Sequence, residues 1–405
     1  MFYKFPHIEH IDQVLPAIEG ATEFVVADRG NFKVINYLVN MPDTFPPMHT
    51  AGGSAKMREQ AMLHKALRRE CRGLVFDANG RVIARRLHKF FNVNERDETR
   101  AEHVDLSQEH VILEKLDGSM ITSLPLDGQI HWATKMGIND ISMGAARFAE
   151  ANSGYMNFAR DMADAKMTPI FEWCSRKQRI VIDYPQDRLV LTAVRDNQSG
   201  EYMRYDTMLN VGSNYDVEVV RALSGSVKSM TALMDHTREL KDAEGYVIRF
   251  ANGHMLKLKA EEYLRFHKTK DNLTLEKNVI SMLVDEKVDD LKAFMLAEDR
   301  ERVERFEAEF WAGLNSSIED YERFYAERVV ARNLDRKRFA LEMLPTAKKA
   351  DPFIQSVVFG MFNGVPAREL VLDLVRKNLT TQTKVDSVRS LWKNTKWTYH
   401  FDGDV

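Results

Sequence analysis

The sequence predicts an α+β protein in two parts, an N-terminal domain of antiparallel sheets over residues 1–265 and an all-helical C-terminal domain over residues 266–405. Three observations predict it. Short apolar runs of strand length, each closed by a turn rich in Asp, Asn or Gly, recur as far as Lys259. Beyond Tyr263 the apolar spacing switches to steps of three and four, as in Val303, Phe306, Phe310, Leu314, Ile318, Tyr321 and Tyr325. A chain of 405 residues has room for two domains and even three.

In chain order, residues 22–39 read as a hairpin about Asp28-Arg29-Gly30-Asn31, and the Pro- and Gly-bearing stretch after Asn40 as a loop entering a helix near Met57–Leu67. Strands follow at Gly73–Phe76, Arg81–Ala84 and Lys89–Asn92, and more lie between 111 and 135. Asp117-Gly118 reads as a tight turn after Val111–Leu113, and Asp127-Gly128 as a second turn. Ser142–Asp164 reads as a helix and Pro169–Cys174 as a buried strand. Ile180–Ile182 and Leu189–Val194 extend the sheet, and a helix is expected over Ser226–Arg238. Glu244–Phe250 and His254–Leu258 form a hairpin about Asn252-Gly253. In the helical part, Pro366 occupies the first turn of a helix running to Leu379.

Composition excludes several classes. Hydrophobic residues at 44% and charged residues at 29% are an ordinary soluble balance. A net charge of -3 rules out a polycation, so any nucleic-acid contact has to come from local patches. Cys71 and Cys174 alone do not make a disulfide scaffold and suit a reducing, cytoplasmic interior. Met1–Pro6 lacks a signal-peptide pattern, and no apolar run reaches membrane-span length. Charge does divide the helical part: residues 271–330 carry a balance of -8 and residues 331–400 one of +7. The basic end interleaves Trp392, Trp397, Tyr399 and Phe401 with Lys393 and Lys396. That mixture suits either a stacking surface for RNA or buried aromatics beneath a solvated cationic face.

Chemistry concentrates around Glu114-Lys115-Leu116-Asp117-Gly118-Ser119. A lysine at a strand end can offer its amine to a phosphate, and neighbouring cations can turn that amine into a nucleophile. Lys-x-Asp-Gly is the signature of covalent nucleotidylation, and a motif so short also recurs by chance. Glu172, inside the apolar Phe171-Glu172-Trp173, needs a cation or metal beside it, or an Arg176 or Arg179 partner. Glu244 opens a strand and reads either as a site carboxylate or as an exposed turn residue. Lys257 and Lys259, two apart, share one strand face opposite Leu256 and Leu258, which fits an anion such as a triphosphate or else a solvent-facing edge. Together they are expected to lower the pKa of a nearby Lys115. Arg72, Lys89 and Lys135 lie near strand ends, where surface cations are also common, and Tyr37 suits a core as well as a ligand. No Gly-x-x-x-x-Gly-Lys-Ser/Thr loop, Gly-x-Gly-x-x-Gly or Cys/His zinc pattern occurs.

Five segments in order carry a family resemblance: Glu70-Cys71-Arg72-Gly73 with Lys89-Phe90-Phe91-Asn92; Glu114–Ser119; Phe171-Glu172-Trp173; Glu244-Gly245-Tyr246-Val247; and Leu256-Lys257-Leu258-Lys259 running into His267-Lys268-Thr269-Lys270-Asp271. With them the chain resembles the bacteriophage ATP-dependent RNA ligases of the RNA ligase 1, tRNA-repair type, over roughly residues 20–295. The resemblance implies an adenylyltransferase domain followed by an RNA-specificity domain, and sealing of a 5′-phosphate to a 3′-hydroxyl through lysyl-AMP and RNA-adenylate. It implies that Lys115 is the nucleophile and that ATP and Mg2+, or Mn2+ in its place, are the cofactors. Glu244 then orients the metal, Glu172 meets the ribose or a metal-water shell, and Lys257 and Lys259 hold the α-phosphate. Arg72, Lys89, Lys135 and Tyr37 contact phosphates or sugar, backbone near Glu114 reads adenine, and Asp289 is a metal contact. It further implies RNA ends, nicked tRNA among them, as partners of a monomeric enzyme in the cytoplasm, that of the host cell if phage-encoded. The chain departs from the family by a longer segment between Tyr37 and Arg72, around Met48–Ala61, and by its helical tail. A DNA ligase or capping-type enzyme is an alternative, although those carry an oligonucleotide-fold domain where this chain turns helical. A non-catalytic RNA-end binder is another.

Overall fold

The computed structural model describes residues 4–399 apart from 39–42, 50, 51, 226, 228, 286, 287, 289–291, 293, 294 and 296. The chain divides into two compact units, one ending at Leu264 and one beginning at Arg265. No helix among the described residues is long and apolar enough to cross a membrane.

Three four-stranded sheets build the first unit. The first, in order β1-β2-β3-β4, contains Phe24–Asp28, Phe32–Tyr37, Arg72–Asp77 and Val82–Ala84. Ser119–Leu126 (β7), Gln129–Ala133 (β8), Met167–Cys174 (β9) and Arg188–Asp196 (β10) form the second in order β10-β9-β7-β8. In the third, Phe91–Asn92 (β5), His110–Lys115 (β6), Gly245–Phe250 (β11) and Met255–Lys259 (β12) run in order β5-β12-β11-β6. The pairings between these strands are antiparallel except a two-residue parallel contact between β5 and β12. The α+β expectation therefore holds.

The turns follow local chemistry. Asp127 and Gly128 both take positive φ, 52° and 74°, as the tight hairpin between β7 and β8 demands. Phe32, Val34, Val75 and Ala84 from the first sheet meet Leu124, Leu126 and Ala133 from the second in one buried cluster. β9 is apolar on both faces because its other face lies under the helices Asp140–Ala151 and Ser153–Asp164, with Phe158 and Phe171 fully buried. The third sheet rests on the helix Met230–Arg238 through Leu233, Ile248 and Leu256.

Several expectations need correction. Asp117-Gly118 is not a hairpin turn: β6 and β7 belong to different sheets, so this corner carries the chain from one to the other. The expected helix 142–164 is two helices, broken where Asn152 adopts an extended conformation and Gly154 lies so close to Tyr215 that a Cβ would stand 1.8 Å from its carbonyl oxygen. Ile180–Ile182 is not a strand, since the amides of Val181 and Ile182 are taken by the Asp117 carboxylate. Lys89 precedes its strand, which is only Phe91–Asn92. The helix expected from Ser226 starts at Met230, capped by Ser229, while residues 226 and 228 lie outside the described residues.

The second unit is helical. Its longest helix, Ala297–Phe324, buries Val303, Phe306, Phe310, Leu314, Ile318 and Tyr321, the stripe anticipated from the spacing. Pro366 is the N-cap residue of Ala367–Lys377 rather than part of its first turn. Trp392 and Trp397 are core residues, 0% and 6% exposed, and their indole N–H groups donate to Thr395 O and Leu273 O. They offer no stacking face for RNA; the buried-aromatic reading holds for both.

Candidate active site

Strand register assembles the site. Lys115 of β6, Gly245 of β11 and Lys259 of β12 lie side by side in one row, and Leu113, Val247 and Lys257 form the next row on the same face. Gly245 sits at φ 141°, and a Cβ there would stand 2.1 Å from Leu258 O, so no other residue fits between the two lysines. Glu244, just before this strand, is buried. Its carboxylate takes Lys115 Nζ at 2.7 Å on one oxygen and Lys259 Nζ at 2.9 Å on the other. It is an ion-paired site carboxylate and not an exposed turn residue.

The Lys-x-Asp-Gly corner is held from behind. Asp117 Oδ2 accepts the amides of Val181 and Ile182 at 2.7 and 2.8 Å, and Oδ1 accepts the Tyr263 hydroxyl at 2.8 Å. The Asp117 amide donates to Tyr184 Oη. Gly118 passes so close to β9 that a Cβ would stand 2.4 Å from Trp173 O. Asp117 and Gly118 thus fix the corner on which Lys115 is mounted and present the amine without touching it.

One cavity of about 500 Å³ is lined by Tyr37, Arg72, Lys89, Glu114, Lys115, Lys135, Glu172, Lys257 and Lys259. Lys89 Nζ and Lys135 Nζ each stand 5.2 Å from the centre of the Tyr37 ring. Burial pushes the Tyr37 phenol up, but Lys89, Arg72 and Lys135 outweigh it and leave it below its usual range. Burial lowers the Lys89 amine as well. Lys257 is held down to about 7, first by burial and then by Arg72, Lys89 and Lys115. Glu172 is pushed up to about 7, first by burial; Lys115 opposes this and Glu244 adds to it.

Glu114 lines the cavity, and its amide donates to Arg221 O at 2.9 Å. Asp289 lies outside the described residues. Sequence reading missed the apolar wall of Phe90, Met120, Ile141 and Val247. Alternation from Gly245 marks Val247 as a cavity residue, whereas Ile141 comes from a helix with no motif of its own. Among the described residues no three His, Cys, Asp or Glu side chains gather to cage a metal. Two carboxylates, one of them half-buried and raised, do fit a divalent ion that keeps most of its shell as water and phosphate oxygen.

A family model described as RNA ligase matches residues 70–270, and one described as T4 RNA ligase 1, C-terminal domain, matches residues 270–392. The chain belongs to the RNA ligase 1 family. A Thermovibrio ammonificans protein whose name places it with the RNA ligases is 28% identical over 244 residues, 59% of this chain and 57% of that protein. A protein of Autographa californica nuclear polyhedrosis virus, named for a polynucleotide kinase joined to an RNA ligase, is 24% identical over 246 residues, 55% of this chain and 34% of its own length. The matched regions thus span just over half of one curated relative and a third of the other. Among solved structures, an archaeal ATP-dependent RNA ligase is similar with a TM-score of 0.45 and 15% identity, covering 70% of this chain and 69% of that one.

Proposed function

We propose that this protein is an ATP-dependent RNA ligase that joins 5′-phosphate and 3′-hydroxyl RNA ends through a lysyl-AMP on Lys115. The observation that carries the reading is the Lys115 amine, ion-paired to Glu244 beside Lys259 at the wall of a cation-lined cavity. A pure RNA-end binder has no use for an amine so placed.

Three displacements follow at phosphorus. Deprotonated Lys115 Nζ attacks the α-phosphorus of ATP, a nitrogen–phosphorus bond forms, and the bond to the β-phosphate oxygen breaks with release of pyrophosphate. An oxygen of the RNA 5′-phosphate then attacks the same phosphorus and the lysine leaves, giving RNA-adenylate. The 3′-hydroxyl loses its proton as it attacks the RNA 5′-phosphorus, and AMP departs. Each step gathers negative charge on oxygens about the transferring phosphorus, which preorganised cations stabilise.

The residues divide that work. Lys257 and Lys259 hold the α-phosphate, while Arg72, Lys89 and Lys135 hold the outer phosphates with the Tyr37 ring beside two of the amines. Glu244 keeps the Lys115 amine aimed and has to release it before attack. Glu172 meets the ribose or a metal-water shell. Glu172 and Glu244 would hold a divalent ion, Mg2+ or Mn2+, which when bound neutralises charge on the phosphates. The second unit selects the RNA, with nicked tRNA as the substrate class, and the enzyme acts as a monomer. RNA sealing is favoured over the DNA-ligase and capping readings by the family match and by a helical second unit.

The test is intact-protein mass after incubation with ATP and Mg2+, followed by peptide mapping and by joining of a nicked RNA. An AMP adduct on Lys115 and sealing lost in Lys115→Ala are expected. Protein shown to start free of AMP that forms no adduct would overturn the reading.

A further inference from the structure

We propose that Arg249 reads a ring nitrogen of the purine base at the inner end of this cavity, an inference that rests on reading the cavity as the ATP site. The register places it. Val111, Arg249 and Met255 form the row beyond Leu113, Val247 and Lys257 on the face that carries Lys115. Four residues of strand separate Gly245 from Arg249, about 13 Å at the usual rise per residue. That span suits a nucleotide with its α-phosphate at Lys115 and its base toward Arg249. Arg249 lines the cavity, as do Val247, Thr192, Ala193 and Met255. The Thr192 hydroxyl already donates to Ile170 O.

Arg249 is 6% exposed, and its Nη1 is buried with no hydrogen-bond partner among the described residues. Tyr202 and Tyr205 pack near it, but their hydroxyls are committed elsewhere. Tyr205 donates to Val220 O at 2.9 Å, and Tyr202 shares a hydrogen bond with His88 Nδ1 at 2.9 Å. A buried donor without an acceptor is costly, and a ligand that brings one recovers that cost on binding. Adenine offers N1, N3 and N7 as acceptors along its edges, and the apolar wall beside Val247 suits its faces. Arg249 also borders a second cleft, lined by Tyr202, Tyr205 and Phe250. It therefore forms the partition that ends the base side of the nucleotide cavity.

The experiment deletes acceptors one at a time. AMP loading of the full chain is followed with ATP and with 1-deaza-, 3-deaza- and 7-deaza-ATP, for the wild type and for Arg249→Met. One analogue should lose roughly tenfold in kcat/KM with the wild type, as loss of one buried hydrogen bond does. Arg249→Met should lose about as much with ATP and little more with that analogue, and Arg249→Lys, which keeps a donor, should recover part of the loss. Thermal melting of the variants checks that they fold, and the wild-type series stands if they do not. Three analogues that all match ATP in the wild type, or a penalty that persists undiminished in Arg249→Met, would overturn the assignment. Absence of any adduct with ATP itself is a separate result, which removes the ATP-site reading and this inference with it.

Discussion

Glu244 in the first unit and Glu276 in the second are both buried carboxylates with cationic partners, yet only one faces a cavity. Glu276 receives Arg389 Nη2 at 2.6 Å, Gln382 Nε2 at 2.7 Å and the Trp397 amide at 2.9 Å. Its acceptor capacity is used up by groups of its own core, chiefly a planar guanidinium whose side chain is 11% exposed. Glu244 meets two lysines instead, one per oxygen, whose side chains are 20% and 25% exposed and line the cavity. An ammonium spends one N–H on the carboxylate and keeps others for a phosphate. A fork that chelates the carboxylate keeps few. A buried glutamate is thus no sign of function in itself; what distinguishes the site is partners that can let go.

The largest expected effect tests that distinction outright. Lys115→Ala should abolish the AMP adduct and all joining while the protein stays folded, since Lys259 still pairs with Glu244, read by intact mass and calorimetry. Arg389→Met should do the reverse. Leaving the Glu276 charge buried without its main partner costs about 3–5 kcal/mol, so the second unit should melt early while folded molecules still take AMP on Lys115. Trp397→Ala should cost a similar 3–5 kcal/mol through the cavity it leaves. Next comes Glu244→Gln, which retains an acceptor but not the charge. Adduct formation should slow by about 10²–10³-fold, comparable with the loss of one preorganised group at a reacting centre, with the fold intact. An unimpaired Glu244→Gln, or a folded Arg389→Met that takes no AMP, would erase the contrast between the two carboxylates.

The reach of sequence reasoning differs between the units for the same physical reason. Strand alternation is a period-two rule, so Lys257 and Lys259 could be placed on one face opposite Leu256 and Leu258, and they lie there. Register between strands is non-local. Nothing in the sequence around Glu244 states that β6 and β12 will flank β11 and close two lysines on one carboxylate. Asp117-Gly118 misled because a turn dipeptide carries no label for whether its strands pair, and these enter different sheets. In the helical unit, periodicity marked the buried stripe of Ala297–Phe324. Aromatics scattered among lysines near Trp392 and Trp397 have no period, so whether they face inward is decided by packing against Phe306 and Phe310.

The pH profile sharpens the comparison further, with a moderate effect. Glu172 at about 7 is ionised only above that pH, and Lys257 at about 7 is cationic only below it. If the site needs both charges, kcat/KM for AMP loading follows a narrow bell centred near 7, falling about tenfold per pH unit on each side. Arg stays charged throughout, so Lys257→Arg should lift the alkaline limb, and Glu172→Gln should flatten the acid limb while lowering the maximum. Because the two groups sit in one coupled cluster, the limbs report the pair, and the two variants separate them. A profile flat from pH 6 to 8 would mean that these charges are not needed for the chemical step.

The smallest effect is expected where charge is most visible in the sequence. Lys393 and Lys396 are exposed, and Lys393 pairs with Asp320 at 2.8 Å in a contact that leaves both side chains about half in solvent, 46% and 50% exposed. Replacing both lysines by Gln should change stability by no more than about 1 kcal/mol and leave AMP loading untouched. If this face meets RNA, joining should weaken and the dependence of RNA affinity on salt should become shallower, by a slope of about one for each phosphate contact removed. Affinity and salt slope that both match the wild type would place the RNA elsewhere on the protein. The lysines beside Trp392 and Trp397 would then be only the solvated surface of a helical core, and the cations that matter would be those that line the cavity.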